Sequence, residues 1–369
     1  MKPTILIRLT AMGDVLLAVP TARALAAAGH EVHWVLHRRW AALAPVLPAA
    51  RVHLLGSAAE LLPLARRLRR LEPEAVIDLQ GKPASLALSA LIGAPVSRYG
   101  KRPWREQIAA ARGAYPIRPA DPMPVWLRYA RVAGVEARPE GALLELAEPG
   151  LREAAAWLAA EAGLEPGRFT LFHPSAAHPG KRIPQEGIVT MLERLPRPLA
   201  LIGDTDGTIV AGDGVIDLRG RTELRLLPYI LHHAHGLVST DSGPMHLGRA
   251  VGTPVAGLFF QTDPCLGFAP VQGRRVKIVS KPLPCKPCSL HGKRQPCPEG
   301  TWACRAFDWE ALADDLAGFL GPDPGGSRSA PTISVPIQHR AEAHRDAPGS
   351  SPRHPDAAGP LPPSSRSKA

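Results

Sequence analysis

Asparagine is missing from the 369 residues, and aromatic side chains are scarce at 5%. No stretch of eighteen consecutive apolar residues occurs, so no bilayer-spanning helix is expected. The first apolar stretch, Ile5 to Leu9, is too short for a signal-peptide core and is broken by Arg8, so the expected address is cytoplasmic. No G-x-G-x-x-G follows that stretch, which leaves a dinucleotide fingerprint unsupported. Cysteine is absent until Cys265. The five present (Cys265, Cys285, Cys288, Cys297, Cys304) fall late, a pattern of a local metal or redox site rather than of a disulfide framework.

Basic charge is in excess, 44 Lys and Arg against 33 Asp and Glu, for a net charge of +11 and a pI of 9.8. Such a surface could meet nucleic acid, anionic lipid or a phosphorylated substrate. The excess is mostly arginine in a chain heavy in Ala, Pro and Gly, a bias that genome composition produces without a partner, and no nucleic-acid partner is expected. Arg66, Arg67, Arg69 and Arg70 cluster, as do Lys101, Arg102 and Arg105. Either group can face phosphate or carboxylate, although solvated helix faces are the commoner origin of such runs.

The length suits two domains with extra segments. In the first half, β-rich runs at Thr4–Leu9, Glu31–Leu36, Val52–Leu55 and Ala75–Leu79 alternate with helical stretches at Ala18–Ala28, Arg38–Leu47 and Leu61–Leu71. A helix at Leu151–Ala162 leads to a second block. Its predicted strands are Phe169–His173, Leu199–Ile202, Gly236–Ser239 and Pro254–Leu258, and its predicted helices Gln185–Leu195, Glu223–His233, Pro244–Ala250 and Asp308–Leu320. Such alternation predicts parallel sheets with helices on their faces, an α/β fold of two Rossmann-like halves. The expected division is 1–150, 151–320 and a tail, 321–369, without Phe, Trp, Tyr or Cys and too polar to bury a core, hence disordered.

Three constellations carry chemistry. The first strand runs into Met12-Gly13-Asp14 and then a helix containing Pro20, which is tolerated only in a first turn or at a kink. Asp14 therefore lies at the carboxyl end of the sheet, where α/β folds hold ligands; its structural alternative is a helix N-cap. The second runs from His173 to Pro184, where Lys181 and Arg182 on a post-strand loop can meet a phosphate. The third, Ser239-Thr240-Asp241-Ser242-Gly243-Pro244-Met245-His246, ends a strand and opens a helix with Pro244 at its first position. Backbone N–H groups there, with the helix dipole, form an anion site, and Gly243 allows close approach of a diphosphate. Capping is the alternative role for Asp241 and Ser242. Asp204-Thr205-Asp206 imitates a metal-holding D-x-D but sits among turn glycines and reads as a turn near a ribose. Cys285, Cys288, Cys297 and Cys304 have spacings compatible with tetrahedral zinc, or with reduced thiols packing a loop.

Together, Gly13-Asp14 after an Ile-Leu-Ile-Arg-Leu strand, the His173 to Pro184 loop, and Asp241-Ser-Gly-Pro-Met-His-Leu followed by Gly252-Thr-Pro-Val resemble glycosyltransferase family 9, the ADP-heptose:lipopolysaccharide heptosyltransferases. Asp78-Leu-Gln-Gly81, Asp217-Leu-Arg-Gly-Arg-Thr222 and Thr262-Asp-Pro264 add to the likeness, which runs from about residue 4 to about 310. The resemblance implies a GT-B fold and inverting, metal-independent transfer from a nucleotide sugar to an anionic, lipid-linked oligosaccharide in lipopolysaccharide synthesis, with peripheral contact at the inner membrane. It implies Asp14 as general base and Lys181 as the cation on the departing diphosphate. Gly13, Arg182, Thr240, Asp241, Ser242, Gly243, Pro244 and His246 become substrate-binding residues, and the late cysteines a feature outside catalysis. The chain departs from the family at Ile183, where Trp is usual, and at Phe259-Phe-Gln-Thr-Asp-Pro264, where Phe-Gly-Pro is common. Two alternatives come from other classes: a GT-B-like nucleotide-sugar epimerase, separated by whether a glycosidic product forms, and a basic RNA- or lipid-binding module, separated by nucleotide-sugar binding.

Overall fold

The computed structural model describes residues 2–100, 108, 112–117, 119, 123–139, 141–205, 214–271 and 275–321. The expected cluster at Lys101, Arg102 and Arg105, the second acid of the D-x-D (Asp206) and the tail beyond Gly321 lie outside the described residues.

The first sheet has five parallel strands, β1 (Pro3–Ile7), β2 (Glu31–His37), β3 (Arg51–Leu55), β4 (Ala75–Asp78) and β5 (Val96–Arg98), in the order β3-β2-β1-β4-β5. Central β1 is buried along its apolar run, as a parallel strand covered on both faces must be. After β1, α2 (Val19–Ala27) matches the predicted helix Ala18–Ala28, and α1 (Met12–Leu17) precedes it where a turn was expected. Pro20 sits in the first turn of α2, where its missing N–H costs nothing, and Gly29 (φ +88°) turns the chain back into β2. Leu61–Arg69 forms α3 and Pro83–Ile92 forms α4, which was not expected. The stretch Arg38–Val46, expected as an α-helix, is 3-10 instead and contains Pro45.

Helix α5 (Val125–Val132) packs on α2, and α6 (Glu148–Ala162) leads into the second sheet. That sheet has six parallel strands: β6 (Thr170–His173), β7 (Leu199–Leu201), β8 (Val215–Asp217), β9 (Gly236–Thr240), β10 (Val255–Phe259) and β11 (Val276–Ser280), in the order β11-β10-β9-β6-β7-β8. Its helices are α7 (Gln185–Arg194), α8 (Leu227–His233), α9 (Gly243–Ala250) and α10 (Trp309–Leu320). The strand order reverses direction between β1 and β4 in one sheet and between β6 and β9 in the other, the positions where open α/β sheets hold ligands.

One buried cluster joins the halves, with Leu6, Val15, Trp34 and Tyr129 in the same apolar body as Phe169, Leu237, Met245 and Phe259. Buried Arg249 ties the linker down, donating to the carbonyls of Pro139, Gly141 and Val271 at 2.7–2.8 Å.

Candidate active site

Asp14 leaves the carboxyl edge of β1 at the third position of α1; the N-cap is Ala11, three residues earlier, so the structural alternative of Asp14 as an N-cap is not met. Its Oδ2 does structural work. It accepts from the Ala11 backbone N–H at 3.2 Å and pairs with Arg8 Nη2 at 2.5 Å. Its Oδ1 is buried and has no hydrogen-bond partner. A lone carboxylate oxygen held in a fixed direction is what a proton acceptor needs.

In the sequence Arg8 only interrupts the apolar run. It is buried in the end of that run, lies over the Tyr129 ring at 5.4 Å and donates to the Leu79 carbonyl. A cation there must find partners, and that is the sequence signal that could have found it. The Asp78-Leu-Gln-Gly81 segment proves to be scaffold. Gln80 Oε1 accepts from Leu9 and Thr10 N–H at 3.0 and 3.1 Å, and Asp78 Oδ1 accepts from Gln80 and Gly81 N–H at 2.9 and 3.0 Å, fixing the turn that presents Asp14.

On the facing half, Lys181 lies in a short 3-10 turn, Pro179–Lys181, with Nζ 2.7 Å from Asp241 Oδ2. Asp241 Oδ2 also accepts from Thr262 Oγ1 at 2.8 Å, which gives the Thr262-Asp-Pro264 segment a role in holding the pair. Arg182 is turned toward its own loop, its Nε donating to the Ala176 carbonyl at 2.9 Å. Thr240 Oγ1 donates to the Ser175 carbonyl at 2.6 Å and so locks the two post-strand loops together.

Ser242 occupies the N-cap of α9, but its hydroxyl makes no capping bond. It meets His173 Nδ1 at 3.2 Å and Ser239 Oγ at 3.2 Å instead, so the capping role considered for it is not filled and the first N–H groups of α9 are free of side-chain caps. Gly243, not Pro244, is the first residue of α9, and Pro244 the second. His173, buried at the end of β6, was not singled out as a site residue. Burial holds its pKa down at about 4, so it is neutral and orients the Ser239 and Ser242 hydroxyls.

The two halves interlock at two glycines. A Cβ on Gly13 would stand 2.7 Å from His246 Cδ2, and one on Gly243 would stand 2.0 Å from Met12 Cε. His246 from α9 thus lies against the turn carrying Asp14, while Met12 from that turn covers the start of α9. Burial lowers His246 to about 4, against the opposing pull of Asp241 and Asp14, so the ring is neutral. Asp14, His246, Asp241 and Lys181 are one constellation, assembled from both sheets.

Among the described residues no group of three or more His, Cys, Asp or Glu is arranged to hold a metal ion. The zinc expectation at Cys285, Cys288, Cys297 and Cys304 therefore finds no ligand set, and none of the five cysteines forms a disulfide. Burial, with neighbouring cysteines second, pushes the Cys288 thiol up to about 11, and burial raises Cys304 as well, so both are protonated at neutral pH. Asp204 stands in a loop after β7; Asp217 beyond it is spent on a bidentate pair with Arg219 at 2.9 and 2.6 Å.

Two Rossmann-like sheets with their ligand edges turned to a shared constellation are the GT-B architecture. Residues 205–299 match the family described as glycosyltransferase family 9 (heptosyltransferase), and the protein is a glycosyltransferase. Among solved structures it is similar to the E. coli ADP-heptose lps heptosyltransferase II, at 16% identity over 87% of this chain and 98% of that one, with a TM-score of 0.63. It is also similar to E. coli heptosyltransferase WaaC with ADP, at 21% identity over 75% and 92% of the two chains (TM-score 0.55). A third likeness is to the iron-containing dodecameric glycosyltransferase TibC of enterotoxigenic E. coli, at 15% identity over 86% and 78% (TM-score 0.53). At these identities the structural likeness establishes the fold. Comparison of the sequence with the curated proteins finds no match.

Proposed function

We propose that the protein transfers heptose, or a sugar of similar shape, from an ADP-linked donor to an anionic, lipid-linked core oligosaccharide of lipopolysaccharide, with inversion and without a catalytic metal. The observation that carries this reading is the free, buried Oδ1 of Asp14 facing a half in which Lys181 and an uncapped helix start stand together. The acceptor hydroxyl gives its proton to Asp14 Oδ1 as its oxygen attacks the anomeric carbon. The bond from that carbon to the diphosphate oxygen breaks on the opposite face, and the electron pair leaves with the nucleoside diphosphate. Lys181, positioned by Asp241, and the N–H groups at Ser242 and Gly243 receive the developing negative charge. Neutral His246 donates a hydrogen bond to the donor, Thr240, Gly243 and Pro244 shape its loop, Arg182 braces the Lys181 loop, and Gly13 leaves room for His246. No cofactor takes part, and any metal at the late cysteines would be structural.

This reading puts the enzyme, as we propose it, on the cytoplasmic side at the surface of the inner membrane; among the described residues no helix is long and apolar enough to cross a membrane. The test is a nucleotide-sugar panel read by thermal shift and by formation of a glycosylated acceptor, each with and without EDTA. Stabilisation by an ADP-sugar and EDTA-insensitive transfer are expected. Transfer abolished by EDTA and restored by magnesium or manganese would overturn the metal-free mechanism and return Asp204 and Asp206 to consideration.

A further inference from the structure

Six large apolar side chains are exposed among the described residues, and four of them share one region: Leu62 on α3, Leu86 and Leu91 on α4, and Val96 on the edge strand β5. Helices α3 and α4 pack side by side on one face of the first sheet. Leu64, Ala65 and Leu68 of the one and Leu88 and Ile92 of the other turn inward to Ile5, Ile7 and Val76. Their opposite stripes therefore look the same way, out of the molecule.

An outward helix stripe in water is normally charged or polar. That of α4 is Ala84, Leu86, Ala87, Ala90 and Leu91, all exposed and without a charge. Beside it, the outward stripe of α3 carries Arg66, Arg67, Arg69 and Arg70, all exposed, and none of them forms an ion pair among the described residues. We propose that this face docks on an anionic lipid bilayer, the α4 stripe entering the boundary between headgroups and acyl chains while the α3 arginines meet lipid phosphates.

Charge complementarity favours this occupant. Apolar side chains flanked by guanidinium groups match an interface whose depth is hydrocarbon and whose rim is anionic. A second copy of the chain would bring a second arginine row into the same interface with no acid on either helix to receive it. Position fits as well. Both helices start at the carboxyl edge of the sheet, after β3 and β4, and Asp14 is presented from that edge after β1. A bilayer seated on this face brings lipid-anchored sugar toward the base, which deepens the proposed function by assigning the surface that collects its acceptor.

The test is co-sedimentation of the full chain with vesicles of phosphatidylethanolamine and phosphatidylglycerol, against vesicles of phosphatidylcholine alone, at low and high salt. Anionic vesicles should bind the protein at least tenfold more strongly, on the order expected for four cations at a charged surface, and salt should weaken binding. Leu86→Glu with Leu91→Glu should lower binding about tenfold or more, as should Arg67→Glu with Arg70→Glu, whose side chains are exposed and leave the core untouched. Both variants should keep wild-type transfer to a water-soluble acceptor fragment. Equal binding to the two vesicle types, or wild-type binding by both variants, would overturn the proposal, as would a dimer that dissociates on Leu86→Glu/Leu91→Glu without any vesicle binding. Vesicle binding without sugar transfer would instead sink the proposed function and leave this surface standing.

Discussion

Asp14 divides its carboxylate between two duties: Oδ2 holds Arg8 and the Ala11 N–H, while Oδ1 is unclaimed. An amide in its place can keep the contact to Ala11 but cannot take a proton. Asp14→Asn is therefore expected to leave donor affinity near wild type and to lower kcat by roughly a hundredfold or more. Turnover near wild type would reduce Asp14 to a helix-start residue and partner of Arg8. Lys181 calls for a different measurement, because charge on the departing oxygen grows mainly in the transition state. Lys181→Ala should cut kcat by about 100-fold, roughly 3 kcal/mol, with a much smaller change in donor Kd measured calorimetrically. Equal losses in both would make Lys181 a binding residue only.

Helices α1 and α9 meet through two small residues, and neither glycine is there for its dihedral freedom. Gly13 admits His246 and Gly243 admits Met12. Alanine at position 13 would push the buried imidazole or open the contact, so Gly13→Ala is expected to lower stability by about 1–3 kcal/mol and to weaken donor binding together with it. At position 243 the intruding atom is the end of a flexible methionine. Gly243→Ala alone should cost stability, and Met12→Ala added to it should restore the melting temperature; independent losses would show that Met12 is not the obstacle. The sequence made the main strands and the motif order legible because buried parallel strands are continuous apolar runs and turns after them are polar. It did not reveal the edge strands β5, β8 and β11, whose exposed or half-buried residues form no fully buried apolar run, nor α4, whose outward face lacks the polar half of a helical pattern. It showed α2 but gave a turn where α1 stands. At the site, residues carrying free polar groups in loops were visible, whereas Arg8, His173 and Met12 were not, because their partners come from strands or from the opposite half.

Across the whole molecule, three buried histidines act together on stability. Burial lowers His53, His173 and His246 to about 4 from an ordinary 6.5. His53 also faces His33, Arg67 and Arg51, all of which oppose its charging. His173 faces the Ser239 and Ser242 hydroxyls, and His246 faces Lys181 against Asp241 and Asp14. In the unfolded chain each ring takes a proton as pH falls through about 6.5, while in the folded chain it waits until about 4. The unfolded state therefore holds up to three more protons in that window, and stability, full above pH 6.5, must fall as pH drops toward 4. Each proton contributes a slope of about 1.4 kcal/mol per pH unit at most. The melting temperature should be level above pH 6.5 and decline steeply below it. His53 is the member to change, because it stands on β3 away from Asp14 and Lys181. His53→Gln can keep a hydrogen bond to His33 Nδ1, now at 2.9 Å, and has nothing to titrate. It should remove about one third of the acid slope and leave transfer at neutral pH unchanged. A melting temperature that stays level down to pH 4 would mean that these rings gain protons in the folded protein as readily as in the unfolded one.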